Sequence, residues 1–221
     1  RKSVRKKEAY MTPVETRNKL AAETVIKGLK SRFFEAYYCA TKEEAAEKIL
    51  SLIPVTDTVS WGGSMTMEAI DIYNKVKAKG CPVIDRADAK NQDEKIELMR
   101  KALLCDTYLT GTNAVTEDGE LVNVDGNGNR VAAMTFGPKN VIVACGMNKV
   151  VKNVMDAAAR ARNYAAPINA QRFNIQTPCR TTGVCADCKS QQSICTYIVR
   201  TRMCRPAGRI KVVLIGEPLG F

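Results

Sequence analysis

Residues 105–138, CDTYLTGTNAVTEDGELVNVDGNGNRVAAMTFGP, decide the fold. The run Cys105 to Thr110 has strand character and passes directly into turns dense in Asn, Asp and Gly. Asp118-Gly119 sits between Asn113–Thr116 and Leu121–Val124, the short-range pattern of a β-hairpin. A second turn follows at Asp125-Gly126-Asn127-Gly128-Asn129, where several residues reach positive φ at low cost. So many polar groups and bare backbone amides on turns suit a binding site. The plain alternative is two solvent-exposed turns without a ligand.

Outward from this stretch, helices and strands alternate. Upstream, Tyr10 to Lys30 reads as a helix with Met11, Val14, Leu20, Val25 and Ile26 loosely on one side. Thr41 with Glu44 at N3 forms a capping box for a helix carrying Ala45, Ala46, Ile49, Leu50 and Ile53, which Pro54 stops. Val55 to Trp61 is a strand, and Gly62-Gly63-Ser64 opens a helix with Met65, Ala69, Ile72, Tyr73 and Val76 on one stripe, ending at Gly80. Cys81 to Asp85 is a short strand and Asp93 to Leu104 a helix. Downstream, Val141 to Cys145 is a strand, Asn148 to Tyr164 a helix with Val150, Val151, Val154, Ala158 and Ala161 inward, and Tyr197 to Arg202 and Ile210 to Ile215 are strands. This alternation predicts an α/β fold, a three-layer α/β/α arrangement around a mostly parallel sheet. Residues 1–221 read as one domain, with a basic leader and helix over 1–40 and a cysteine-rich excursion over 176–204.

Composition narrows the chemistry. A hydrophobic share of 45% and a charged share of 26% fit a globular chain with an ample core. No apolar run reaches the roughly 20 residues of a membrane span and no secretory signal opens the sequence, so a cytoplasmic home without membrane contact is expected. Net charge is +11. Arg1, Lys2, Arg5, Lys6 and Lys7 crowd the start, and eight basic residues face one acid, Asp187, between Arg172 and Lys211. Such asymmetry favours an anionic partner: a phosphorylated or carboxylate metabolite, or an anionic metal cluster. Nucleic acid is disfavoured, because aromatics are only 6% and do not interleave with the basic residues. With no histidine, catalysis has to run on carboxylates, Lys, Tyr or thiolates.

Three constellations carry candidate chemistry. Gly62, Gly63, Ser64 and Thr66 lie between a strand and a helix, where backbone amides and hydroxyls can meet phosphate or carboxylate oxygens. Plain N-capping is the rival reading, and neither a dinucleotide fingerprint nor a P-loop is present. Gly111, Asn113, Asn123, Asn127 and Asn129 form the polar turns, with Glu117 and Asp125 as candidate general bases. Gly62-Gly63-Ser64 and Gly111-Thr112-Asn113 both follow strands, so they should share one sheet edge. The third constellation is Cys179-x5-Cys185-x2-Cys188-x6-Cys195, four thiols within seventeen residues. It suits a 4Fe-4S cluster, with structural zinc and free or redox-active thiols as alternatives. Cys39, Cys81, Cys105 and Cys145 lie in apolar segments and read as core residues.

The stretches SWGGSMTMEAI (60–70), DTYLTGTNAVTEDGELVNVDGNGNRVAAMTFGPKNVIVACGMNKVV (106–151), TPCRTTGVCADCKSQQSIC (177–195) and VVLIGEPLGF (212–221) together resemble the LUD-domain family of lactate-utilisation proteins. The cysteine segment is similar to that of small stand-alone members. The resemblance implies a fold like the ribose-phosphate isomerase and CoA-transferase superfamily, in which a Gly-Ser/Thr turn after a strand cradles phosphate. That turn maps onto Gly62, Gly63, Ser64 and Thr66. The acid-rich loop of the isomerases is similar to Gly111 through Asn129, but Asn113 stands where they carry an acid, and no lysine falls inside the loop. The family implies a subunit or accessory role in oxidation of L-lactate, a 2-hydroxy acid, to pyruvate, alongside iron–sulfur partner proteins. A homo-oligomer is compatible with this role. An enzyme acting on a sugar phosphate or acyl-CoA, and a non-catalytic scaffold, remain as alternatives.

Overall fold

Strand pairing turns the alternating pattern into a parallel sheet. The structure, a computed structural model, describes residues 11–221; the basic leader and the expected helix start at Tyr10 lie outside them. In chain order the elements are α1 (Pro13–Ser31), β1 (Glu35–Cys39), α2 (Lys42–Ser51), β2 (Val59–Trp61), α3 (Met65–Ala69), α4 (Ile72–Lys79), β3 (Val83–Ile84), α5 (Gln92–Lys101) and β4 (Thr107–Gly111). They continue with β5 (Ala114–Thr116), β6 (Leu121–Asp125), α6 (Asn129–Thr135), β7 (Asn140–Gly146), β8 (Val150–Val151), α7 (Val154–Arg160), α8 (Ala166–Ala170), α9 (Pro178–Thr182), β9 (Tyr197–Thr201) and β10 (Ile210–Ile215). Six strands pair in the order β1-β10-β7-β4-β2-β3, every pair parallel.

Period-two alternation sends each strand's side chains to two cores. Val141, Val143, Val212 and Leu214 face α1 and α6, meeting Val25, Leu29, Ala133 and Met134. Ile142, Ala144, Val213 and Ile215 face the opposite side, against Ala45 and Ile49 of α2, Met67 of α3 and Val76 of α4. Full burial of each branched side chain contributes about 1.5–3 kcal/mol, so these central strands anchor the α/β/α layering.

A second, four-stranded sheet, β8-β5-β6-β9, was not anticipated. The β5–β6 hairpin forms as its turn chemistry requires, with Ala114 opposite Val122 and Gly119 at φ 88°. Tyr197–Thr201 joins this hairpin antiparallel instead of entering the main sheet. Val115 and Leu121 look back to the main core. Ala114, Val122 and Val124 pack on Ala157 and Ala161 on the far side.

Other boundaries shift for local reasons. Thr41 Oγ1 caps Glu44 N at 3.2 Å, but Glu44 returns to Ala40 N at 2.8 Å, so only half the capping box closes. The expected single helix after Ser64 breaks in two at Asp71, whose φ of 53° is left-handed. The helix expected from Asn148 starts only at Val154, capped by Asn153 Oδ1, which accepts from Asp156 N at 3.0 Å. Asn148 instead holds the final segment: its Oδ1 accepts from Leu219 N and its Nδ2 donates to Gly220 O at 3.1 Å. Among the described residues no helix is long and apolar enough to cross a membrane.

Candidate anion-binding site

Three parallel strands end at one place. Gly62-Gly63-Ser64 follows β2, Thr112-Asn113 follows β4, and a 3-10 turn, Met147–Lys149, follows β7. The first two touch: a Cβ on Gly111 would come within 2.7 Å of Ser64 Oγ. Ser64 is the N-cap of α3, and its Oγ accepts from Met67 N at 3.3 Å. Above the strand ends lies a cavity of ≈ 480 Å³, within the range of small-ligand sites.

Gly63, Ser64, Gly111, Asn113, Asp125, Asn127 and Asn129 all line this cavity. The remaining expected residues do not. Gly62 packs beneath it, where a Cβ would meet Arg130 Cδ at 3.0 Å and Tyr108 Oη at 3.2 Å. Thr66 is fully buried behind the wall, its Oγ1 donating to Leu219 O at 3.1 Å. Asn123 is buried, with Oδ1 accepting from Arg130 Nη1 at 2.6 Å and Nδ2 unpartnered among the described residues. Glu117 is not brought to the site. It sits by the outer hairpin turn and pairs with Lys152 at 2.5 Å, because Asp118-Gly119 points away from the strand ends and onto α1.

Arg130 organises the polar turns. Its guanidinium donates to Gly111 O, Asn123 Oδ1, Asn113 Oδ1 and Val124 O at 2.6–3.2 Å. Asn113 Oδ1 also accepts from Val124 N at 2.9 Å. The amides that the sequence offers as ligand donors are therefore largely engaged in holding an arginine. Asp125 lends Oδ2 to Val131 N at 3.1 Å, with Arg130 Nε 3.7 Å away.

Five cationic side chains, Arg86, Lys95, Arg130, Lys149 and Arg172, line the cavity against one acidic side chain, Asp125. Arg172 reaches Glu68 at 3.3 Å. Arg86, Lys95 and Lys149 form no ion pair among the described residues. Arg86 lies over Gly63, close enough that a Cβ there would be 2.7 Å from Nη2.

Lys149 is the residue the sequence reading missed. It is 3% exposed and donates from Nζ to Thr66 Oγ1 at 2.9 Å. Burial first, then the Arg160 and Arg130 charges, push its amine down to about 8, although Cys145 opposes them. No lysine lies in the 111–129 loop, but Lys149 enters the same cavity from the end of a third strand. The available signal was Gly146-Met147-Asn148-Lys149 directly after an apolar strand, obscured by reading Asn148 as a helix start.

The four cysteines gather elsewhere. Cys179, Cys185, Cys188 and Cys195 line one small cavity of ≈ 120 Å³ behind α8 and α9. Burial, then the neighbouring Cys179, Cys185 and Cys188 charges, push the Cys195 thiol up to about 11. Cys39, Cys81, Cys105 and Cys145 are buried core residues, as their apolar surroundings predict.

No curated protein matches the chain. Among solved structures, a DUF162 family protein from Deinococcus radiodurans is 10% identical with a TM-score of 0.45, the match covering 93% of this chain and 99% of that one. The delta subunit eIF2B delta from Chaetomium thermophilum is 14% identical with a TM-score of 0.36, covering 63% of this chain and 57% of that one. The LUD domain pattern matches residues 22–215, nearly the whole of the two sheets and their helices, and the chain therefore belongs to the LUD-domain family, which is associated with lactate utilisation.

Proposed function

We propose that the cavity at the ends of β2, β4 and β7 binds a small carboxylate, the 2-hydroxy or 2-oxo acid of lactate-to-pyruvate oxidation. The observation that carries this reading is the charge of the lining: five cationic side chains against one acidic side chain, three of those cations without an ionic partner among the described residues. A buried ammonium without a counter-ion is costly, and an incoming carboxylate supplies that counter-ion. In this reading Lys149 and Arg86 anchor the carboxylate from opposite sides. Ser64, Asn127 and Asn129 face the rest of the ligand, and Asp125 is the carboxylate placed for proton exchange, in place of Glu117. A lysine near 8 is also suited to proton transfer at neutral pH.

The volume favours a second reading of the same site, since ≈ 480 Å³ exceeds what lactate alone would fill. A phosphorylated metabolite or acyl-CoA would use the same cations. Titration calorimetry with L-lactate, pyruvate, inorganic phosphate and coenzyme A separates the two, with Trp61, the single tryptophan, as a fluorescent reporter beside Gly62. Pyruvate or lactate is expected to bind best. Lys149→Met and Arg86→Gln are each expected to weaken binding at least about tenfold, or about 1.4 kcal/mol. Affinity should also fall as pH rises through about 8, because Lys149 loses its charge. Binding of none of these anions by a folded chain would leave the scaffold reading in place.

A further inference from the structure

The cysteine-rich excursion folds back on itself. Gln176 N donates to Gln192 Oε1 at 2.6 Å, and Thr177 Oγ1 lies 3.4 Å from Cys179 Sγ. This closure puts all four cysteines on the wall of one cavity, with Thr177, Ser193 and Arg162 between them. The ninth cysteine, Cys204, is separate, its sulfur accepting from Ile210 N at 3.2 Å within the main core.

Two observations say what the cavity suits. The first is Arg162, on a π-helical turn (Ala161–Ala165) between α7 and α8, a local geometry often found at functional sites. Its Nη2 lies 3.9 Å from Cys185 Sγ and also pairs with Asp187, while its buried Nε has no partner among the described residues. A buried guanidinium N–H left without an acceptor beside four thiols matches an anionic centre, whose sulfurs would accept from it. The second is spacing. A tetrahedral zinc bonds each sulfur at about 2.3 Å, so its four sulfurs crowd to about 3.8 Å from one another. Here the four cysteines share the lining of one cavity, and among the described residues no three Cys, Asp or Glu side chains are grouped as ligands of a single ion. The cavity's ≈ 120 Å³ has room for about four waters at roughly 30 Å³ each. A four-iron core with bridging sulfides needs such room, and one CxxC pair flanked by two single cysteines suits it.

We propose that Cys179, Cys185, Cys188 and Cys195 hold a [4Fe–4S] cluster set in a wall shared with the anion cavity. Ser193 and Ile194 line both cavities. Gly126, in the turn beside Asp125, lies so close to this wall that a Cβ on it would be 3.2 Å from Ile194 Cα. The shared-wall part rests on the anion reading; the cluster does not.

The test is anaerobic reconstitution of the full chain with ferrous iron and sulfide, followed by metal and sulfide analysis and low-temperature electron paramagnetic resonance after reduction. The expected result is about four iron and four sulfide per chain. About one zinc and no sulfide, or a native circular dichroism spectrum with no bound metal, overturns the proposal. Cys188→Ser should lose most of the iron; where that variant fails to fold, the wild-type stoichiometry still decides. Arg162→Gln should keep the iron but shift the reduction potential, which a merely structural arginine would not do. Saturating pyruvate, its binding read separately from Trp61 fluorescence, should alter the resonance line shape. An unaltered line shape with bound pyruvate removes the shared wall, and the iron and sulfide count, made without any anion, stands or falls separately.

Discussion

Lys149 shows how one side chain can set both a site's affinity and its cost. Its amine falls from 10.5 to about 8 on burial, a difference of about 3 kcal/mol at about 1.36 kcal/mol per pH unit. Between those two values the unfolded chain binds more protons than the folded one, so stability rises with pH across that window. Below about 8 the full penalty is present. Lys149→Met should therefore stabilise the ligand-free chain by about 1–3 kcal/mol near pH 7, and should abolish the rise between about pH 8 and pH 10. Urea denaturation at both ends of that range reads this directly. A variant that is less stable near pH 7 would mean that the bond to Thr66 outweighs the buried charge. None of this was legible in the sequence. A lysine three residues beyond a strand looks like surface charge until the final segment closes over it, and Gly220 does so, a Cβ there falling 3.1 Å from Nζ.

At the scale of elements, the legible parts are those fixed by local chemistry. The β5–β6 hairpin and the ends of β10 were readable from Asp118-Gly119 and from an apolar run interrupted only by Lys211. β1 was not, because a five-residue edge strand shows its identity only when Ala36 aligns with Val212, far along the chain. The second sheet was hidden for the same reason, Asn123 meeting Val199 across 76 residues of sequence. Polar turns could be found, but not which amides Arg130 would occupy. Two left-handed glycines separate strain from contact. Gly80, at φ 87°, has nothing within 4 Å of an added Cβ, so Gly80→Ala should cost only about 1 kcal/mol of backbone strain. Gly119, at φ 88°, faces Leu29 N at 2.2 Å and Gly28 C at 2.3 Å, both backbone. Gly119→Ala should cost about 2–4 kcal/mol, since the hairpin must lift from α1. Paired chemical denaturation curves check the difference, and equal losses would mean the hairpin yields without resistance.

Across the whole molecule, a net charge of +11 surrounds a cavity that is itself cationic, so the field gathers anions from a distance and the lining holds them at close range. Raising salt from about 0.05 to about 0.5 M should slow pyruvate association markedly and weaken its affinity less, because buried charges are screened less than exposed ones. Stopped-flow traces of Trp61 emission measure both; an association rate indifferent to salt would remove the long-range contribution. The strand order has a further consequence, for synthesis. β10, made from residues 210–215, wedges between β1 and β7 at the heart of the main sheet. Until it leaves the ribosome, two bare strand edges wait on either side of a gap, so the nascent polypeptide carries an open, sticky seam that a chaperone has reason to shield.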